Sequence, residues 1–173
     1  HVFGGKTRKR AGKSAIYGRV IAQEEHDEHL RTVTMFQDLQ VVQTLQFSRN
    51  PLSRVHDMVL VKYEIMNKGR KTRRVGARIM MDTMLGNNDG APFRIGSNAF
   101  QSEQEFKGDT LLSYWQTFDS LDHPKVIAQG ITTHTELGVQ VPDRMVLSNW
   151  GLLADSPWDF VYKEGRAFVR AGE

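Results

Sequence analysis

The chain has 173 residues, 23 Lys and Arg against 20 Asp and Glu, and no cysteine. That length buries a substantial core without staples, and the missing thiols exclude disulfides and thiolate metal sites. No apolar run approaches the roughly 18 residues that a membrane-spanning helix needs, and no signal peptide is visible.

The net charge of +3 is local. Residues 4–13, GGKTRKRAGK, carry five basic side chains and no acid. Residues 1–13 have too little apolar content to fold alone. They read as a flexible basic arm, with residues 14–173 as one β-sandwich domain. Clustered Lys and Arg release counterions on an anionic polymer. Few aromatics are present to stack on bases, and no nucleic-acid motif accompanies the cluster. A solvated arm is the preferred reading, and nucleic acid is not an expected partner. The chain begins at His1 and ends soon after the apolar Ala167-Phe168-Val169. Both ends look cut, and the domain is expected to be truncated at its C-terminal end.

In chain order, SAIYGRVIAQ reads as a strand, with Ile16, Val20 and Ala22 as apolar positions. EEHDEHL is a polar crossing. Val33, Met35, Leu39, Val41, Leu45 and Phe47 then fall on one odd-numbered series. Period two over that length argues strands, with a bend near Gln37-Asp38; a helix through residues 35–47 is the alternative. NPLSRVHD is a turn, since Pro51 bars a central strand position. Val59, Val61, Tyr63 and Ile65 alternate with less apolar neighbours, and so do Val75, Ala77, Ile79 and Met81. With NKGRKT between them, these predict a β-hairpin. The second basic cluster, residues 67–74, sits across that turn. TLLSYWQTFDSL is a short helix, with Leu111, Leu112, Trp115 and Phe118 on one face, or a loop. KVIAQGITTHT and the segment from Arg144 to Trp150 are strands, and PWDFVYKEG with RAFVR forms a final hairpin. Gly and Pro punctuate the chain every 8 to 15 residues. That spacing suits an all-β antiparallel sandwich with long loops.

Three constellations are candidate sites. In MMDTMLGNNDGAPFRIG, the oxygens of Asp82, Asn87, Asn88 and Asp89 are the donor type that calcium takes. The spacing of the calcium-binding helix-loop-helix is not met, and Asn-Asp-Gly is also ordinary turn chemistry. A turn is preferred, and calcium at Asp82, Asn87 and Asp89 is the cofactor alternative. Asp82 follows Ile79-Met80-Met81, so it is expected to be partly buried at a strand end and to need a partner. His26-Asp27-Glu28-His29 contains a zinc-type pair if helical, and is a polar turn otherwise; the turn is preferred. Last come Trp115, Trp150 and Trp158 near Asp119, Asp122, Asp155 and Asp159. Aromatic platforms with carboxylates hold sugars, while each Trp alone is read as core. His123 and His134 lack a triad order, and no G-x-S-x-G occurs. No catalytic residue is assigned.

VKYEIMNKG has the form of the Y-x-V-x-N-x-G hairpin strand found in many bacterial sandwich domains. VGARIMMDTMLGNNDGAPF, FDSLDHP and PDRMVLSNWG together resemble a group of uncharacterised bacterial β-rich proteins. Their form is similar to the large sandwiches of the galactose mutarotase type. The resemblance covers roughly residues 30–162. It implies a sandwich architecture and a link to carbohydrate, and it carries over no catalytic residue. The expected function is therefore a non-catalytic structural or binding module of an exported bacterial protein, periplasmic or extracellular. It would recognise carbohydrate or a protein partner and form oligomers through edge strands. The alternative is a carbohydrate-active enzyme domain using loop carboxylates.

Overall fold

The structure, a computed structural model, describes residues 2–3, 16–50, 53–133, 140–156, 158 and 160–168. The basic run 4–13, His134 and Asp159 lie outside the described residues. The fold is all-β, its sheets are antiparallel, and among the described residues there is one short α-helix. Internal contacts divide the chain into two compact units, with the division between Ala77 and Arg78.

The first unit is built on a meander. β1 (Val2–Phe3) pairs with β2 (Ile16–Tyr17). β3 (Arg19–His26), β4 (His29–Phe36), β5 (Leu39–Ser48) and β6 (Met58–Asn67) form one sheet in that order. The odd-numbered series of the sequence is divided between β4 and β5. The bend expected at Gln37-Asp38 is a full reversal, and Gln37 turns it with φ of 53°. The β5–β6 ladder runs through ten pairs without a shift, from Leu39 opposite Asn67 to Ser48 opposite Met58. Side chains alternate across the pleat. One face therefore carries Glu25, Leu30, Thr34, Val41, Leu45, Phe47, Val59, Val61 and Ile65, and the other carries Glu24, Arg31, Lys62 and Glu64 together with Val33 and Val42. Val33, Thr34, Val41 and Val42 are buried on β4 and β5.

The second arm of the predicted hairpin, residues 75–81, does not form. No ladder covers residues 68–84. The turn explains this. The Lys68 amide donates to the Asp38 carbonyl at 2.7 Å, and Arg73 clasps Asp38 Oδ2 at 2.8 Å. Asn67 holds the turn internally, accepting from the Gly69 amide and donating to the Lys71 carbonyl. The chain leaving β6 is thus drawn across the neighbouring β4–β5 turn rather than folded back along β6. Gly69 permits it, since a Cβ there would stand 2.2 Å from Asp38 Oδ2.

Among the described residues the second unit holds six short strands. β7 (Phe93–Ile95), β8 (Asn98–Phe100), β10 (Tyr114–Phe118) and β11 (Ile127–Ile131) form a sheet in the order β11-β10-β7-β8. β9 (Gln104–Lys107) pairs with β12 (Arg144–Leu147). The helix-or-loop expected over TLLSYWQTFDSL is instead a loop leading into β10. Tyr, Trp, Thr and Phe favour a pleated surface, and strand geometry sends Trp115 and Phe118 to opposite faces. Phe118 and Thr117 are fully buried, and Ala91, Leu147 and Phe160 are also buried.

The helix lies elsewhere, as α1 (Trp150–Asp155). Asn149 starts it, its side chain accepting from the Gly151 and Leu152 amides. Such a cap satisfies amides that a helix start leaves unpaired. Arg78 finishes it, donating to the Leu153 carbonyl at 3.0 Å and to the Ser156 carbonyl. Among the described residues the expected final hairpin does not form. Gly165, at φ of 73°, turns the chain so that Ala167 bridges Ser102.

Candidate functional site

Asp82, expected to be partly buried, is exposed and belongs to no strand. Asn87 and Asp89 are exposed as well. Leu85 and Asn88 exchange both backbone hydrogen bonds at 3.0 Å, with Gly86 at φ of 59° between them. Glycine supplies that positive φ without strain. Asn88 then links two loops. Its Oδ1 accepts from the Gly90 amide at 2.9 Å, and its Nδ2 donates to the Asp119 carbonyl at 2.8 Å.

The Asp119 carboxylate folds the second of these loops. Its Oδ1 accepts from the Lys125 amide at 2.9 Å and the Val126 amide at 3.1 Å. The Val126 and Lys125 amides hold its pKa below the ordinary aspartate value. Asp119 is therefore occupied in turn formation. Asp122, on the same turn, is exposed. Among the described residues, no group of three or more His, Asp or Glu side chains is placed to hold a metal ion. Asp27 and Glu28 form the turn preferred for this stretch, and His26 and His29 are partners across it. They flank the β3–β4 turn, and their rings stack at 4.5 Å.

The tryptophans separate into two kinds. Trp115 lies flat on Gly130, its partner across the β10–β11 ladder, and contacts the Phe93 ring at 6.0 Å. It is a packing residue. Trp150 and Trp158 are 49 % and 48 % exposed. Trp150 opens α1, and Asp155, exposed, closes it.

Two carboxylate clusters gave no sequence signal. Glu103 is 0 % exposed. It accepts from Arg166 Nη2 at 2.7 Å, from the Lys163 amide at 3.1 Å and from Ser148 Oγ. Burial acts to raise its pKa, but the hydrogen bonds from Arg166, Ser148 and Lys163 outweigh it and leave the carboxyl below its ordinary value. Glu105 bridges Lys107 at 2.8 Å and Arg144 Nε at 2.8 Å, which likewise lowers its pKa. Both carboxylates are stably ionised and fully engaged. Neither has the raised pKa that suits a general acid at neutral pH.

One face of the sheet in the first unit holds a group of exposed apolar side chains. Leu30, Val61 and Ile65 are 41 %, 43 % and 39 % exposed, and Phe47 and Val59 are 52 % and 54 % exposed. All five belong to one face of the β3–β6 sheet. Contiguous apolar surface of this kind marks interaction sites.

Compared with protein-family models, with curated proteins and with solved structures, the chain matches none of them. The resemblance to mutarotase-type sandwiches therefore rests on the sequence alone.

Proposed function

We propose that this chain is a non-catalytic structural or binding module of an exported bacterial protein, and that it works through the β3–β6 sheet. The observation that carries this reading is the apolar patch of Leu30, Phe47, Val59, Val61 and Ile65 on one face of that sheet, whose side chains stay half-exposed although Thr34 and Val41 on the same face are buried. A protein surface is the natural cover for such a face, either laid on it in sandwich fashion or joined at the sheet edge. The engagement of Glu103, Glu105 and Asp119 in ion pairs and turns supports a non-catalytic role.

Carbohydrate recognition is a second reading, favoured by the exposed indoles of Trp150 and Trp158. Thermal melts with calcium, with EDTA and with a panel of glycans separate the two, alongside assays on activated glycosides. No shift and no turnover are expected. A glycan-induced shift moves the function to the tryptophans, and turnover refutes the non-catalytic reading.

A further inference from the structure

We propose that the outer edge of β6 pairs with the same edge of a second copy of this chain, antiparallel, in the register that sets Tyr63 opposite Tyr63. This rests on the reading of the chain as a protein-binding structural module and names its partner.

The two edges of the β3–β6 sheet are built differently. β3 is guarded. It has a bulge between Val20 and Ala22 and carries Arg19, Glu24 and Glu25. Bulges and charges are how native sheets prevent edge-to-edge addition. β6 is ten residues long, has no Pro or Gly, and keeps an unbroken register against β5. Among the described residues no strand ladders to its outer side. The segment that its sequence suggests as a neighbour, 75–81, forms no ladder, and the turn that precedes it is held by Arg73 on Asp38.

The side chains choose the occupant and the register. With Tyr63 opposite Tyr63, Lys62 of each copy faces Glu64 of the other, Val61 faces Ile65, and Leu60 faces Met66. Lys62 and Glu64 already lie 3.3 Å apart within one strand and are exposed, so each carboxylate gains a second ammonium. Sliding the pair by two residues puts Lys62 opposite Lys62 or Glu64 opposite Glu64, and like charges directly opposite are unfavourable. Sliding by one residue puts the two pleats out of phase and sets Tyr63 of one copy beside Lys62 or Glu64 of the other. Only the Tyr63-centred register keeps the faces aligned and sets each Lys62 opposite a Glu64. It is two-fold symmetric, as a closed homodimer interface must be. The two meanders then become one eight-stranded sheet whose apolar face is continuous.

The test is a charge-swap mixing experiment on the 173-residue chain, read by light scattering after size exclusion. Wild type is expected at twice the 19.7 kDa chain mass. Lys62→Glu and Glu64→Lys each turn two cross-strand attractions into two repulsions, so each should self-associate at least about tenfold more weakly. Mixing the two variants should restore the dimer, because both carboxylates of the Lys62→Glu chain then face the two ammonium groups of the Glu64→Lys chain. Misfolding cannot produce that rescue, and circular dichroism of each variant checks the fold. The pairing is overturned by a monomeric wild type, by single variants that remain dimeric, or by a mixture that stays monomeric. A monomeric wild type without glycosidase turnover removes the pairing and leaves the module reading. Turnover by a dimeric wild type removes the module reading and leaves the pairing.

Discussion

Glu103→Gln isolates the buried ion pair of the second unit. The substitution keeps the size of the side chain and an acceptor for Ser148. It removes the negative charge that faces Arg166 at 2.7 Å. Arg166 is 27 % exposed, so water compensates only part of that loss. Removing one partner of a buried pair costs about 3–5 kcal/mol; with this partial exposure we expect roughly 2–3 kcal/mol. For a unit of this size that is a fall in Tm of about 10 °C or more. Urea unfolding followed by tryptophan fluorescence is the assay, because Trp115, Trp150 and Trp158 all belong to the second unit. The pH dependence gives a second reading. The folded pKa of Glu103 lies below its unfolded value of 4.5. Its contribution is therefore complete above that value and is lost as pH falls through the folded pKa. Wild type should lose its advantage over Glu103→Gln on acidification from neutral pH to below 4.5. A variant within about 0.5 kcal/mol of wild type at neutral pH, the scatter of ordinary surface substitutions, would refute the pair's stabilising role.

Three further outcomes are expected. Gly130→Ala should destabilise the second unit by about 1–2 kcal/mol, because a Cβ would stand 2.2 Å from the Trp115 ring and overpacking of that kind forces the neighbour to move. In a Trp115→Ala background the same change should be neutral or stabilising in urea unfolding, and a cost that persists there contradicts the contact. Gly69→Ala should displace Asp38 and accelerate hydrogen exchange at the Lys68 amide, while Arg73→Ala added to it should have little further effect; fully additive effects would mean the clasp is not one unit. Asp119→Ala should raise exchange at the Lys125 and Val126 amides by about tenfold or more. Because the Asp119 pKa is lowered, protection in wild type should persist below the ordinary aspartate value and fade only as pH falls through the folded pKa; unchanged protection in the variant argues against the turn.

The antiparallel β character was legible from alternation alone. Val59, Val61, Tyr63 and Ile65 lie on β6, and the series from Val33 to Phe47 lies on β4 and β5. The hairpin formed by β7 and β8 was missed, although Gly96 between apolar runs was a turn signal and has φ of 58°. The arm at 75–81 was predicted and is absent, because alternation records which faces a segment could bury and not which edge it can reach. That choice was made by Asp38 and Arg73, 35 positions apart. Glu103 was invisible for the same reason. Its partners Ser148, Lys163 and Arg166 are 45 to 63 positions away, and nothing in QSEQEF distinguishes a buried acid from a solvated one. The turn chemistry of Gly86 to Gly90 was read correctly in kind, but the role of Asn88 in tying it to Asp119 required the fold.

The clasp between Arg73 and Asp38 has a consequence for how assembly is controlled. A strand-like segment and an open sheet edge in one chain compete for each other, and whichever closes first excludes the other. By holding the turn after β6 to the β4–β5 turn, one arginine would, on the proposed pairing, leave the edge to another molecule. On that pairing, monomer and dimer are separated by a single ion pair rather than by a different fold, so a change at residue 38, 69 or 73 would reach the dimer without touching the strand that builds it.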